Sequence, residues 1–195
     1  DLDNTLARSR KPMLPWMAER FSTLTTLLPV AVITGGRYGL VISQILDVLD
    51  AHADRSHLHL MPTSGTRYYR WDGDDWRCVY AHDLSADLRD AAVASLTDHA
   101  KELGLWLEDT WGPRIEDRGS QITFSALGQQ APVENRERWD PDGTKRDALV
   151  RAVAADLPEL QVRAGGTTSV DISLRGYDKA FAIRELASSL DLPVD

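Results

Sequence analysis

The chain has 195 residues, enough for one or two domains with a sizeable core. Acidic residues outnumber basic ones 30 to 22, for a net charge of −8, and no basic block interrupts that balance, which argues against a nucleic-acid partner. A single cysteine excludes an intrachain disulfide, and no apolar run approaches the roughly 20 residues of a membrane span, so the expectation is a cytoplasmic protein with no membrane partner.

The first element is the motif Asp1-Leu2-Asp3-Asn4-Thr5-Leu6. At the end of an extended strand, residues i and i+2 point to the same side, so the two carboxylates are presented together. That pair suits phosphoryl transfer through an aspartyl-phosphate, with Asp1 as carboxylate nucleophile and Asp3 passing a proton to and from the oxygens. Residues 12–28 carry Leu14, Met17, Ala18, Phe21, Leu24 and Leu28 at helical spacing, closed by Pro29. Residues 30–33 read as a buried strand that ends in Thr34-Gly35-Gly36, and residues 38–49 as the next helix. An all-apolar strand between two helices points to a parallel sheet covered on both faces. A short strand over 57–61 follows, then a hairpin of 66–71 and 76–80 around Asp72-Gly73-Asp74-Asp75. Cys78 reads as a small buried apolar side chain, and Trp71, Trp76, Trp106 and Trp111 as core or domain-interface residues.

From about residue 82 the pattern changes to a separate α+β layer. A helix is expected over 85–103 with Ser85 as cap, a strand over 121–126, and a helix over 141–156 after the turn signal at 140–143. Strands over 160–164 and 169–174 are separated by Gly165-Gly166. Asp171 alternates with apolar neighbours and is expected on a solvent or cleft face. The domains expected are therefore 1–81, 82–175 and 176–195, the first and last forming one core.

Residues 1–6 resemble the first motif of the haloacid dehalogenase superfamily, residues 30–37 its second, and Gly176-Tyr177-Asp178-Lys179 its third. The resemblance implies a Rossmann-like α/β core with an inserted α+β cap. It implies that Thr34 donates to a phosphoryl oxygen, that Gly35 and Gly36 let the backbone approach it, and that Lys179 opens a helix and neutralises its charge. It also implies Mg²⁺, held through Asp1 and Asp3. The acidic fourth motif that completes the metal site would lie beyond residue 195, and no strand precedes Asp1. The expectation is an interior piece of a longer protein, catalytically weak on its own.

Residues 118–179 are similar to the cap of the phosphomannomutase family within that superfamily. Arg118 and Arg136 match the first and third of three cap arginines, Gln129 stands at the second, and Gly165 to Asp171 match a Gly-Gly…Ser-x-Asp stretch in which Ser169 and Asp171 meet phosphate and sugar. Gln129 cannot supply a guanidinium fork, and Arg37 follows the paired glycines where the mutases have Ser. The resemblance therefore implies a small phosphorylated substrate of the hexose-phosphate class, with hydrolysis favoured. Phosphomannomutase activity is the alternative and a non-catalytic sugar-phosphate-binding relative the third reading. Cap-mediated homodimers occur in the resembling family.

Overall fold

The computed structural model describes residues 1–193; the last two residues of the 190–195 stretch, expected to lead into another strand, lie outside the described residues. The chain divides into two compact units, one formed by Asp1–His82 with Gly176–Asp195 and the other by Asp83–Arg175.

In the first unit, α1 spans Pro15–Leu27 and buries Ala18 and Phe21. It starts three residues later than expected. Leu14 precedes a proline and is held extended at φ −67°, ψ 150°, while Pro15 fits the first helical position. Strand β1 is Val30–Ile33 and α2 is Tyr38–Gln44. The single helix expected over 38–49 is broken, with a separate 3₁₀ turn at Leu46–Val48. The cause is tertiary: the Gln44 carbonyl accepts from Met13 N at 3.0 Å, and Val48 N turns instead to the Ile45 carbonyl. Strands β2 (Leu58–Met61), β3 (Arg67–Trp71) and β4 (Trp76–Ala81) complete a sheet of order β1-β2-β3-β4. The β1·β2 pair is parallel, and the hairpin adds two antiparallel strands.

Alternation along these strands separates two packing faces. Val32, Leu58 and Leu60 pack with Phe21, Val41 and Ile45, while Met61 and Ile33 pack with Ala182 and Leu186 of α6 (Lys179–Ser189). Helices thus cover both faces of an α/β sheet. Burying each such aliphatic side chain contributes about 1.5–3 kcal/mol. Close approach of α6 depends on Gly65, which has φ +87° and where any Cβ would collide with that of Ala182. Cys78 is exposed rather than buried, because β4 is the outer edge strand of the sheet. Trp71 and Trp76 are half-buried and meet edge to face at 5.6 Å.

The second unit is an antiparallel sheet of order β5-β6-β8-β7, from Ile115–Asp117, Gln121–Ser125, Ser169–Leu174 and Leu160–Ala164. Its apolar face (Ile122, Phe124, Val170, Ile172) packs on Leu96 and Ala100 of α3 (Ala86–Glu102) and Leu149 and Val153 of α5 (Thr144–Asp156). Ser85 caps α3, its Oγ accepting from Leu88 N. Helix α5 starts at Thr144 rather than 141: Gly143 is left-handed, and the Asp140 carboxylate takes the N–H groups of Lys145 and Arg146. Strand β5 and the seven-residue helix α4 (Val133–Trp139) were not anticipated from the sequence. Trp106 is half-buried and stacks on Phe124, whereas Trp111 is exposed, contrary to its expected core or interface place. Among the described residues no helix is long and apolar enough to cross a membrane.

Candidate active site

In the first unit the candidate side chains come from opposite ends of the chain. Lys179, the first residue of α6, places Nζ 2.7 Å from Asp1 Oδ2, and both side chains are about half exposed. Asp178 caps this helix by accepting from Phe181 N at 2.9 Å, which fixes where Lys179 emerges. Asp1 Oδ1 accepts from Leu2 N at 2.9 Å.

Asp3 is held differently. Its Oδ2 accepts from Ser9 Oγ at 3.2 Å, and its Oδ1 accepts from Arg10 N at 3.2 Å and Gln44 Nε2 at 3.1 Å. Thr34 follows β1 and is buried. Its N–H donates to Met61 O, its carbonyl accepts from Ser64 N at 2.8 Å, and its Oγ1 accepts from Gly36 N at 3.1 Å. A hydroxyl that accepts in this way keeps its own proton to donate. Thr63 N donates to Gly36 O at 2.9 Å, and Gly35 is exposed at the turn.

The metal expected at Asp1 and Asp3 can be tested against these donors. Mg²⁺ takes oxygen ligands, commonly one or two carboxylates completed by water and substrate phosphate. The Asp1 carboxylate is about half exposed, while the Asp3 carboxylate accepts from Ser9 Oγ, Arg10 N and Gln44 Nε2, which leaves the Asp1 carboxylate as the more accessible of the two for Mg²⁺. No group of three or more His, Cys, Asp or Glu residues able to hold a metal occurs among the described residues. The donor chemistry fits Mg²⁺, with the remaining ligands drawn from water and substrate.

In the second unit the polar face of the sheet carries Asp171 and Ser169, with Arg118 just after β5. Arg118 is nearly buried and directs Nε and Nη2 to Glu116 Oε2 at 2.9 and 2.7 Å. Asp171 pairs across strands with Thr123, whose Oγ1 donates to Asp171 Oδ1 at 2.7 Å and accepts from Gln121 Nε2 at 3.0 Å. Burial raises the Asp171 carboxyl above its ordinary range, opposed by the Thr123 bond and the Arg118 charge. Asp171 is thus half-buried within a polar network rather than on an open face. Gly165 leaves room for it, since a Cβ there would lie 2.8 Å from Oδ2. Ser169 shares this face two residues before Asp171 and is half-buried.

Gln129 is buried in the turn after β6, its N–H donating to Pro113 O at 3.0 Å. Arg136 lies on α4, where its buried Nε has no hydrogen-bond partner among the described residues. The structure therefore joins Arg118 and Asp171 through shared electrostatics, while no hydrogen bond described here links Arg136 to them.

Sequence reasoning missed Gln44, Glu116, Gln121 and Thr123. Gln44 carried one signal: it lies beside Val41 and Ile45 on the apolar stripe of its helix, where a buried amide needs partners.

No family model matches the chain. It is 24% identical over 192 residues to phosphomannomutase from Spinacia oleracea, spanning 95% of this chain and 75% of the relative. It is also 24% identical over 201 residues to a probable phosphomannomutase from Caenorhabditis elegans, spanning 98% and 76%. Among solved structures, Plasmodium falciparum IMP-nucleotidase matches with TM-score 0.69 and 13% identity over 99% of this chain and 55% of that one. The C-terminal domain of C. albicans trehalose-6-phosphate phosphatase matches with TM-score 0.63 and 10% identity, over 96% and 57%. The chain spans a little over half the length of these two solved structures. It thus has the haloacid dehalogenase fold with an α+β cap, and it resembles phosphomannomutases over nearly all its length.

Proposed function

We propose that this protein catalyses Mg²⁺-dependent phosphoryl transfer from a small sugar phosphate of the hexose-phosphate class, through an aspartyl-phosphate on Asp1, with hydrolysis as the net reaction. The observation that carries this reading is the 2.7 Å approach of Lys179 to Asp1, which sets a cation beside an accessible carboxylate. An Asp1 oxygen attacks phosphorus and the P–O bond to the sugar breaks. Asp3 gives its proton to the leaving oxygen, then takes one from the water that attacks phosphorus as the P–O bond to Asp1 breaks, freeing Asp1 and releasing inorganic phosphate. Lys179 and the Thr34 hydroxyl meet the charge on the phosphoryl oxygens. Mg²⁺, held by the Asp1 carboxylate and the Asp3 carbonyl, would offset phosphoryl charge when bound. Arg118, Gln129, Arg136, Ser169 and Asp171 are the proposed substrate-binding set of the cap, with Gly35 and Gly36 lining the phosphoryl site.

A second reading, mutase chemistry, is favoured by the names of the relatives, which are phosphomannomutases. Two features support hydrolysis over it: Gln129 replaces a cation, and the Arg118 charge is already met by Glu116. Phosphorus NMR of the full-length protein with mannose 1-phosphate, Mg²⁺ and a trace of hexose 1,6-bisphosphate separates the readings. Growth of inorganic phosphate is the expected result. Growth of mannose 6-phosphate would establish the mutase instead, and binding without turnover would leave a sugar-phosphate-binding protein.

A further inference from the structure

We infer that Gln44 is a positioning residue for the proposed reaction, acting through Asp3; the inference rests on the phosphoryl-transfer reading. Gln44 is the last residue of α2 and is only 1% exposed. Its Nε2 faces three acceptors: Asp3 Oδ1 at 3.1 Å, Lys11 O at 3.0 Å and Arg8 O at 3.4 Å. Only the amide nitrogen, with two hydrogens and no lone pair to offer, suits a site made of one carboxylate and two carbonyls. The main chain of the same residue accepts from Met13 N at 3.0 Å. One side chain and its carbonyl thus clamp the loop that follows the catalytic motif at Arg8, Lys11 and Met13.

That loop returns the hold on Asp3. Arg10 N and Ser9 Oγ also donate to it, at 3.2 Å each. Removing the Gln44 amide therefore loosens Asp3 twice, once directly and once by releasing the segment that carries Ser9 and Arg10. The helix after the second motif, broken at Ile45, exists in this form because Gln44 is committed to the first motif. A proton donor needs its oxygen aimed at the leaving group, and misplacement of a fraction of an ångström lowers the rate of that transfer.

The consequence is selective. When the leaving group is an alkoxide, P–O cleavage requires a proton from Asp3. When it is p-nitrophenolate, the bond breaks without that proton. Because Asp3 also takes a proton from water in the hydrolysis step common to both substrates, the readout is the single-turnover rate of leaving-group release: Gln44→Leu in the full chain is expected to slow release of mannose from mannose 6-phosphate by about tenfold or more with little change in KM, and release of p-nitrophenolate from p-nitrophenyl phosphate by less than about threefold. Ser9→Ala, which removes one donor from Asp3 and leaves α2 intact, should give a weaker loss with the same selectivity, so the inference stays testable if Gln44→Leu does not fold. Equal losses on both substrates for either folded variant, or a change confined to KM, would overturn it. A wild-type protein inert toward both substrates would overturn the phosphoryl-transfer reading and this inference with it, an outcome distinct from an active enzyme whose variants lose both activities alike.

Discussion

The two units treat charge in opposite ways. In the first, Asp1 and Lys179 meet at 2.7 Å with side chains 45% and 49% exposed, so water and a ligand can reach both. In the second, Arg118 is 7% exposed and already bound to Glu116, and Asp171 accepts from Thr123 beside them. An exposed pair exchanges partners at little cost, whereas a buried one must be replaced by a ligand that satisfies both groups. The Asp1–Lys179 pair is thus open to exchange with a ligand, as the proposed chemistry requires. The cap face is organised for shape, and a phosphate would have to compete with Glu116 for Arg118.

The comparison breaks most directly at Asp1. On the proposed chemistry, Asp1→Asn should lower phosphate release by at least about a thousandfold, since no other group takes the phosphoryl. Lys179→Met should cost about a hundredfold, mostly in kcat, as expected for a charge that acts in the transition state. Steady-state assay of phosphate release on full-length protein checks both. A cap substitution with as large an effect on kcat would mean that the cap, not the core edge, limits chemistry.

A second contrast lies in two histidines. His59 on β2 is buried and meets Tyr68 Oη at 2.7 Å, and burial, followed by Arg70 and His57, pushes it down to about 4 from 6.5. Its folded value lies below its unfolded one, so the unfolded chain binds the extra proton between these values. Stability contributed by neutral His59 is complete above about pH 6.5 and is lost as pH falls toward 4, by up to about 3 kcal/mol. His99 on α3 is shifted upward, chiefly by its bond to Asp156 at 2.9 Å, with Glu102 at 3.0 Å adding to it. Its contribution is complete below 6.5 and is lost as pH rises through the raised value. Amide exchange across pH should therefore show β2 and β3 loosening toward acid while the α3–α5 pair loosens toward base. Both units loosening in the same direction would contradict this assignment.

The sequence was most legible where a local signature suffices. Strands β7 and β8 fall at their expected bounds because apolar alternation and Gly165-Gly166 frame them. The hairpin turn was readable because Asp72 supports it, its Oδ1 accepting from Asp74 N and Asp75 N. Strand β5 was missed because it has three residues, two of them acidic, and is defined only by pairing with β6. Helix α4 was missed because its seven residues bury none of their number and show a mixed-charge run. The break in α2 depended on bonds from residues 3 to 13, beyond any local pattern. Among the candidate site residues, motifs named Asp1, Asp3, Thr34 and Lys179, but the partners that hold Asp3 and Arg118 became visible only with the fold. Glu116 in particular lies on the missed strand.

That missed partner offers the smallest and most discriminating perturbation. Glu116→Gln keeps the shape of the pair and removes its negative charge, taking from the nearly buried Arg118 guanidinium the carboxylate it meets at 2.7 Å. Because Glu116 is itself about one-fifth exposed, the cost should be nearer about 2 kcal/mol than the 3–5 of a fully buried pair. The same change removes the competitor for Arg118. Thermal unfolding should therefore show a lowered midpoint that inorganic phosphate partly restores, with a smaller response in the unaltered protein. If phosphate restores nothing, Arg118 is a structural residue of the cap sheet, and the second unit recognises its ligand through other groups. If it does, the ion pair is a gate on an anion site, and the contrast between the units becomes one of degree: both pair a cation with a carboxylate, and the cap would release its cation from the more buried pair.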